Sequence, residues 1–437
     1  QTEVMALELK YAGKSHLEKL AEIRTEMKRL GGASYLVPNL DDIAWIFNIR
    51  GKDIAYCPFV ISYAFITMTD VYLFVEASKM PEAVKAALLA DGVHLLPYED
   101  VQGFLEQAEV TSVLYSPAYT SVSLVKAFKD CVKRIAKGDI ATRLKAVKNA
   151  VEIENIRKAH IKDGVAMVKF HKWLKENVAT GTVDELLVAE KLREFRAEQD
   201  LNLGESFNTI AGYGPNGAIV HYSATPDNFS KVEAKGMLLA DSGGQYMDGT
   251  TDITRTIACG PVTDEEMVDF TLTLQSHIGL AQAQFLRGTC GPHLDVLARR
   301  PMWEAGVDYK HGTGHGVGFL LSVHEGPHTI RCNQNDVALE PGMIVTNEPG
   351  VYKAGKHGIR TENMLLVVKD RETEFGEFYK VETISYCPID KALIKKDMMT
   401  EREIKWLNDY HATVFEKLAP HCDDATKAFL KEATATL

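Results

Sequence analysis

Between residues 238 and 368 the chain repeatedly breaks apolar, strand-like runs with a carboxylate or an imidazole, and any fold for this sequence has to find partners for those groups. The segments are LLADSGGQYMDGTTDITRT (238–256), HGTGHGVGFLLSVHEGP (311–327) and EPGMIVTNEPGVYKAGKHGIRTENMLLVV (340–368). The groups that stand out are Asp241, Asp252, His315, Glu348 and Glu362. Burying them is costly unless something pairs them. Together they read as the ligand set of a two-metal hydrolase.

Charge and donor type support that reading. Hard oxygen donors with one imidazole suit Mn, Mg, Fe or Zn in a nitrogen/oxygen site, and these segments supply no set of thiolates. Four carboxylates carry four negative charges, which two divalent ions cancel and one does not, provided all four face one pocket. Two ions spaced for a bridging water make a hydroxide nucleophile near neutral pH and polarise a carbonyl oxygen.

The spacing allows such a pocket. Residues 236–241 and 251–258 are strand-like runs joined by the turn-rich SGGQYMDGT, a hairpin that brings Asp241 and Asp252 side by side. A second run at 343–349 turns through GVYKAGKHG into IRTENMLLVV and does the same for Glu348 and Glu362. Taken singly, each acid also reads as a strand residue paired with an arginine such as Arg255 or Arg360. Two hairpins that each deliver two carboxylates favour the metal site.

These segments, with GPNGAIVHYSATP (214–226), resemble the pita-bread metallopeptidases, the group of methionine aminopeptidase, prolidase and aminopeptidase P, and most of all the cytosolic type of aminopeptidase P. The likeness reaches LDDIAWIFNIRGKDI (40–54) and REIKWLNDYHATVFEKLAP (402–420), so it covers essentially the whole chain. It implies an α/β (α+β) chain: a creatinase-like, non-catalytic α/β domain over residues 1–143, then a pita-bread catalytic domain over 144–437. It implies that Asp241 binds one ion through both oxygens, that Asp252 and Glu362 bridge the pair, and that His315 and Glu348 complete the other shell. Glu348 would also move the proton of the bridging hydroxide, with His221 and His324 acting on substrate and scissile carbonyl and His311 lining the site. Asp248 is nearer Asp252 in sequence, yet the matching family position is not a ligand. The metal implied is Mn2+, with Zn2+, Co2+ or Fe as alternatives for an oxygen-rich site, and a homodimer is implied.

Seen alone, a histidine between apolar residues is usually a hydrogen-bonded core or surface group. His311 and His315 are four apart, a zinc-protease spacing on a helix, but HGTGHG lacks the glutamate of H-E-x-x-H and is too glycine-rich for a stable helix. The substrate logic follows from the amide. A bond to proline has no N–H, so a site that grips that hydrogen cannot use it. A dinuclear site needs no such grip, and the resemblance implies release of the first residue from peptides with proline second. Prolidase shares the ligand set and is the nearest alternative; creatinase shares the fold without the metals; a peptide-binding protein that has kept the fold is the non-enzymatic alternative.

Composition narrows the setting. A chain of 437 residues with 46% hydrophobic residues supports two cored domains, and its net charge of −11 argues against nucleic acid as the main partner. No stretch has the length of a membrane span and no signal-like N-terminus is visible, and seven scattered cysteines suit reduced thiols in the cytoplasm. Ser15 with Glu18 has capping-box spacing, and Leu17, Leu20, Ile23, Met27 and Leu30 recur on one helical face before Gly31. The runs SYLVP, AWIF, ISYAFITM, VYLFVE and SVLYS read as strands and PEAVKAALLADG as a helix, and 141–178 as one long helix that crosses into the second domain. The likeness starts at what matches the second of three family domains, and the chain starts at Gln1. Either a first domain has been removed or the form is naturally shorter.

Overall fold

The structure is a computed structural model that describes residues 3–437. The chain divides into two compact units, residues 1–152 and 153–437.

The first unit is built on a six-stranded mixed sheet. Its order is Val93–Leu96, Val71–Val75, Ser62–Thr67, Ser34–Val37, Ser112–Leu114 and Lys133–Ile135. Ser62–Thr67 runs antiparallel to both neighbours, and the outer pairings are parallel, which is the pattern that crossover helices impose. Leu36, Phe65, Phe74, Leu105, Val113 and Phe128 form a core beneath it. The helix His16–Leu30 starts at Ser15, whose hydroxyl accepts from Glu18 N–H while Glu18 reaches back to the Ser15 N–H, the capping box expected from the sequence. Leu20, Ile23 and Met27 are buried as the periodicity requires, but Leu17 is 47% exposed.

Two elements differ from the sequence reading. AWIF belongs to a helix, Leu40–Phe47, rather than a strand, and Asp42 to Phe47 are all buried. Four apolar residues carry no period that could tell a strand from a helix buried on every side. The stretch 141–178 is two helices, Ile140–Ala146 and Ala150–Asn177. Asn149 starts the second: its side chain accepts from Glu152 N–H at 3.0 Å and Glu152 accepts from the Asn149 N–H at 2.9 Å, a cap that stops the first helix from running on.

The second unit carries two sheets that matter to the site. In a six-stranded antiparallel sheet the order is Gln284–Leu286, Gly376–Thr383, Asn363–Thr373, Ile344–Asn347, Gly314–Gly316 and Glu325–Ile330. In a three-stranded one Met237–Ser242 lies between Ile210–Tyr213 and Ile253–Ala258. Phe170 and Leu174 of Ala150–Asn177 and Val188 and Leu192 of Glu185–Ala197 bury against Leu238, Ala240, Ile253 and Ile257. Each such side chain contributes about 1.5–3 kcal/mol when taken out of water. Phe270, Leu274 and Ile278 pack with Leu407, Val414 and Leu418 of the helix Glu401–Leu418. No helix is long and apolar enough to cross a membrane among the described residues.

Candidate metal centre

Three of the four carboxylates sit where one strand ends and another begins. Asp252 immediately precedes Ile253–Ala258, Glu348 follows Ile344–Asn347, and Glu362 precedes Asn363–Thr373. Backbone bonds fix these breaks: Glu348 N–H donates to Thr313 O at 2.8 Å and Glu362 N–H to Thr254 O at 3.1 Å. A break frees a side chain from the strict in-out alternation of a strand, so groups from four chain segments can converge. The two expected hairpins are present with insertions. Asp241 pairs with Thr254 in register, while residues 244–250 fold aside into a small sheet. Asn347 pairs with Asn363, and between them Gly350–Lys353 and His357–Arg360 form a separate hairpin.

His315 lies on the middle strand of its sheet edge, Gly314–Gly316, and two glycines make that possible. A Cβ on Gly314 would meet Thr346 O at 1.9 Å and one on Gly316 would meet Glu325 O at 2.2 Å. The glycines of HGTGHG therefore mark a squeezed strand and no helix forms there. The His315 Nδ1 lies 2.8 Å from Gly316 O, a carbonyl that can only accept, so Nδ1 carries the proton and Nε2 is presented as a ligand. That Nε2 is 3.5 Å from Asp252 Oδ2 and 3.3 Å from Glu348 Oε1. Donor atoms of Asp252, His315 and Glu362 all lie within 4.8 Å of one another.

Asp241 joins through Arg360, which donates from Nη2 to Asp241 Oδ2 at 2.6 Å. Glu362 Oε2 accepts from Thr254 Oγ1 at 2.7 Å. The other oxygens, Asp241 Oδ1 and Glu362 Oε1, are buried without any hydrogen-bond partner among the described residues. A buried acceptor with no donor is rare. Two of them on one cluster, beside an imidazole nitrogen held ready as a ligand, fit divalent cations. Burial, then repulsion from Asp252, Glu348 and Asp241, pushes the Glu362 carboxyl well above its usual range, and burial does the same to Glu348, up to about 7. Burial also raises Asp252, against its hydrogen bond with His315. For His315 burial works against the charged form, but Asp252 and Glu348 prevail and raise it to about 9.

A stability prediction follows from those directions. Glu348 (ordinary value 4.5) and His315 (ordinary value 6.5) both hold protons more tightly folded than unfolded, so metal-free protein loses stability as pH rises through the window from about 4.5 to about 9. Melting of metal-stripped protein at pH 5.5 and 8.5 checks this. The gain in melting temperature on adding a divalent ion is expected to be larger at pH 8.5, and a gain independent of pH would contradict it.

The cluster opens on a cavity of about 610 Å³ lined by Asp241, Asp252, His315, Glu348, Arg360 and the three further histidines expected there, His221, His311 and His324. Glu362 lies behind that wall, 1% exposed. The His324 ring stands edge-on to His315 at 4.3 Å between centroids. His324 reaches solvent, yet partial burial of its ring, then the neighbouring His315 and His221, push its pKa down to about 4, so it is neutral at pH 7. Asp248 is elsewhere: both its oxygens accept from Lys162 at 2.8 Å.

Two residues of the site escaped the sequence reading or were misjudged by it. His311 Nδ1 faces Gly312 O at 2.7 Å and so carries the proton, leaving Nε2 to accept from Tyr352 OH at 2.8 Å. Tyr352 in turn accepts from Arg360 Nη1 at 2.8 Å, and Arg360 continues to Asp241. Tyr352 and Arg360 stand on the two strands of the hairpin between Glu348 and Glu362, where the sequence signal was only a tyrosine and an arginine on short alternating strands. Arg360, read as an acid's ordinary ion-pair partner, does pair with Asp241, but inside the cluster. Arg255 pairs with no acid among the described residues: it is 1% exposed and donates to the carbonyls of Thr254, Glu362, Pro388 and Cys387, holding Glu362 in place from behind.

Comparison with known proteins agrees with this geometry. Residues 154–369 match metallopeptidase family M24, residues 1–152 the creatinase/prolidase N-terminal domain, and residues 377–437 the C-terminal region of that peptidase family. A protein of Laccaria bicolor named "Probable Xaa-Pro aminopeptidase P" is 42% identical over 98% of this chain and 68% of its own length, and one of Coprinopsis cinerea with the same name is 38% identical over 100% and 74%. The X-prolyl aminopeptidase of Caenorhabditis elegans, described as a cytosolic enzyme with a di-nuclear active site, superimposes with a TM-score of 0.96 at 31% identity, over 100% of this chain and 73% of that one. An Xaa-Pro dipeptidase from Bacillus anthracis shares the fold at a TM-score of 0.68 and 22% identity, over 86% and 99%. The chain belongs to metallopeptidase family M24, with the Xaa-Pro aminopeptidases P as its relatives, and is a peptide-bond hydrolase.

Proposed function

We propose that this chain is an aminopeptidase that releases the first residue from peptides with proline second, using two divalent ions held by Asp241, Asp252, His315, Glu348 and Glu362. The observation that carries the reading is the pair of buried, partnerless oxygens, Asp241 Oδ1 and Glu362 Oε1, beside a histidine nitrogen already oriented as a ligand. When bound, the two ions lower the pKa of an attacking water and polarise the substrate carbonyl.

The chain's own residues supply the rest. Among the described residues Glu348 accepts from Thr346 Oγ1 on Oε1 only, which leaves Oε2 to take and return a proton at the cavity wall. Neutral His324 donates to the oxygen of the carbonyl as it becomes tetrahedral, where a preorganised donor has its greatest effect. His221 contacts the substrate, and His311, fixed by Tyr352, lines its path. Nothing in this set grips an amide hydrogen of the scissile bond, so the tertiary amide before proline is acceptable. The first unit, residues 1–152, takes no part in the chemistry and corresponds to the second domain of three-domain aminopeptidases P.

The ions are manganese, which the oxygen-rich donor set suits, with zinc, cobalt or iron as competitors. The setting is the cytoplasm: the Caenorhabditis relative is described as cytosolic, and no disulfide is formed among the described residues. The family resemblance supports a homodimer. Elemental analysis of metal-replete protein is expected to approach two ions per chain, with Xaa-Pro-Xaa cleaved well ahead of Xaa-Ala-Xaa. Full activity at one ion per chain would overturn the two-ion reading. Cleavage confined to Xaa-Pro dipeptides would make the enzyme a prolidase instead.

A further inference from the structure

The cavity has one cation that the site described so far does not use. Arg331 lines it together with Thr329, yet makes no hydrogen bond or ion pair among the described residues. Arg360, the cavity's other arginine, is buried and committed to Asp241 and Tyr352. The acids lining the same cavity, Asp241, Asp252 and Glu348, are those proposed above to hold the ions. Arg331 is exposed and hydrated, and so is the wall's remaining uncommitted positive charge, free to take a substrate group.

Register says where that charge sits. Thr329 pairs with His315 across the strands Glu325–Ile330 and Gly314–Gly316. Arg331 is two residues further along, about 7 Å at the ~3.3 Å rise of an extended chain. Its base is anchored beside the His311–Gly312 segment, since a Cβ built on Gly312 would lie 3.3 Å from the Arg331 Cβ. A bound peptide runs with the same rise, and proline in second place keeps it extended. From a scissile carbonyl beside His315 and His324, the end of the third residue lies two residues on, again about 7 Å.

We propose that Arg331 is a specificity-determining residue that binds the carboxylate of the residue after proline and so favours short substrates, above all tripeptides with a free C-terminus. The proposal rests on the aminopeptidase reading. A planar guanidinium can hold a carboxylate by two parallel N–H···O bonds, which lysine cannot reproduce.

The test compares kcat/KM for an Xaa-Pro-Ala tripeptide, its C-terminal amide, and Xaa-Pro-Asp-amide against Xaa-Pro-Asn-amide. The wild type is expected to favour the free acid over the amide by about 10-fold, mostly through KM, as for one charge-assisted hydrogen-bond pair at a solvent-reached site. The preference should shrink as salt rises. Arg331→Gln is expected to bring the free acid down to the level of the amide, and Arg331→Lys to keep part of the difference. A preference for the Asp amide over the Asn amide assigns the carboxylate to the side chain; a preference for the free acid assigns it to the main-chain terminus. Equal turnover in all pairs by the wild type overturns this inference and leaves the aminopeptidase reading standing. Cleavage of none of the peptides overturns both.

Discussion

Asp252→Asn is expected to release at least one metal ion and to lower kcat by about 100-fold or more. Asp252 is 4% exposed, its Oδ2 lies 3.5 Å from His315 Nε2, and its donor atom lies within 4.8 Å of those of His315 and Glu362. The amide keeps the shape and removes the charge. Partners one shell out from a metal already cost about 10–100-fold in affinity or activity when lost, so a direct ligand must cost more. Elemental analysis beside steady-state kinetics reads both effects. Asp248→Asn is the control: it breaks the bonds to Lys162, which costs stability, and leaves metal content and turnover near normal. A variant at Asp252 with two ions and normal turnover would remove it from the ligand set.

The second large effect is expected at His324. His324→Ala should lower kcat and kcat/KM together by about 100-fold or more at unchanged metal content, because its donor acts on charge that develops only in the transition state. Its depressed pKa, about 4, means that the neutral ring does this work throughout the neutral range. His221→Ala removes a contact present before the chemistry, so part of its loss should appear in KM. Both rings reach solvent in the cavity, and neither substitution opens a void in a packed core. Circular dichroism and melting should therefore be close to wild type. Loss of metal from both variants would show that these histidines are ligands or supports, and the division of roles would fall.

The sequence made the cluster's composition legible because its acids stand out locally. A carboxylate between apolar strand residues is anomalous whatever surrounds it, and the anomaly at Asp241, Asp252, Glu348 and Glu362 needed no tertiary information. The glycines beside His315 argued against a helix, for the reason the strand shows: there is no room for a Cβ on either side. Capping chemistry is equally local: Ser15 with Glu18 and Asn149 with Glu152 share one spacing, and each pair starts a helix. AWIF was beyond reach, since four buried apolar residues look alike in a helix and a strand.

The chain's order of residues thus determined which acids and imidazoles stand out as candidates and where helices can begin, because those are matters of one residue and its near neighbours. Only the tertiary structure decided how the groups are held. The link from His311 through Tyr352 and Arg360 to Asp241 joins residues up to 119 apart, the bond from Arg255 to the Glu362 carbonyl spans 107, and Arg331 acquires its place from a register with His315. Such contacts depend on which strand ends meet and in what register, and spacing along one chain segment carries no information about a partner that arrives from another.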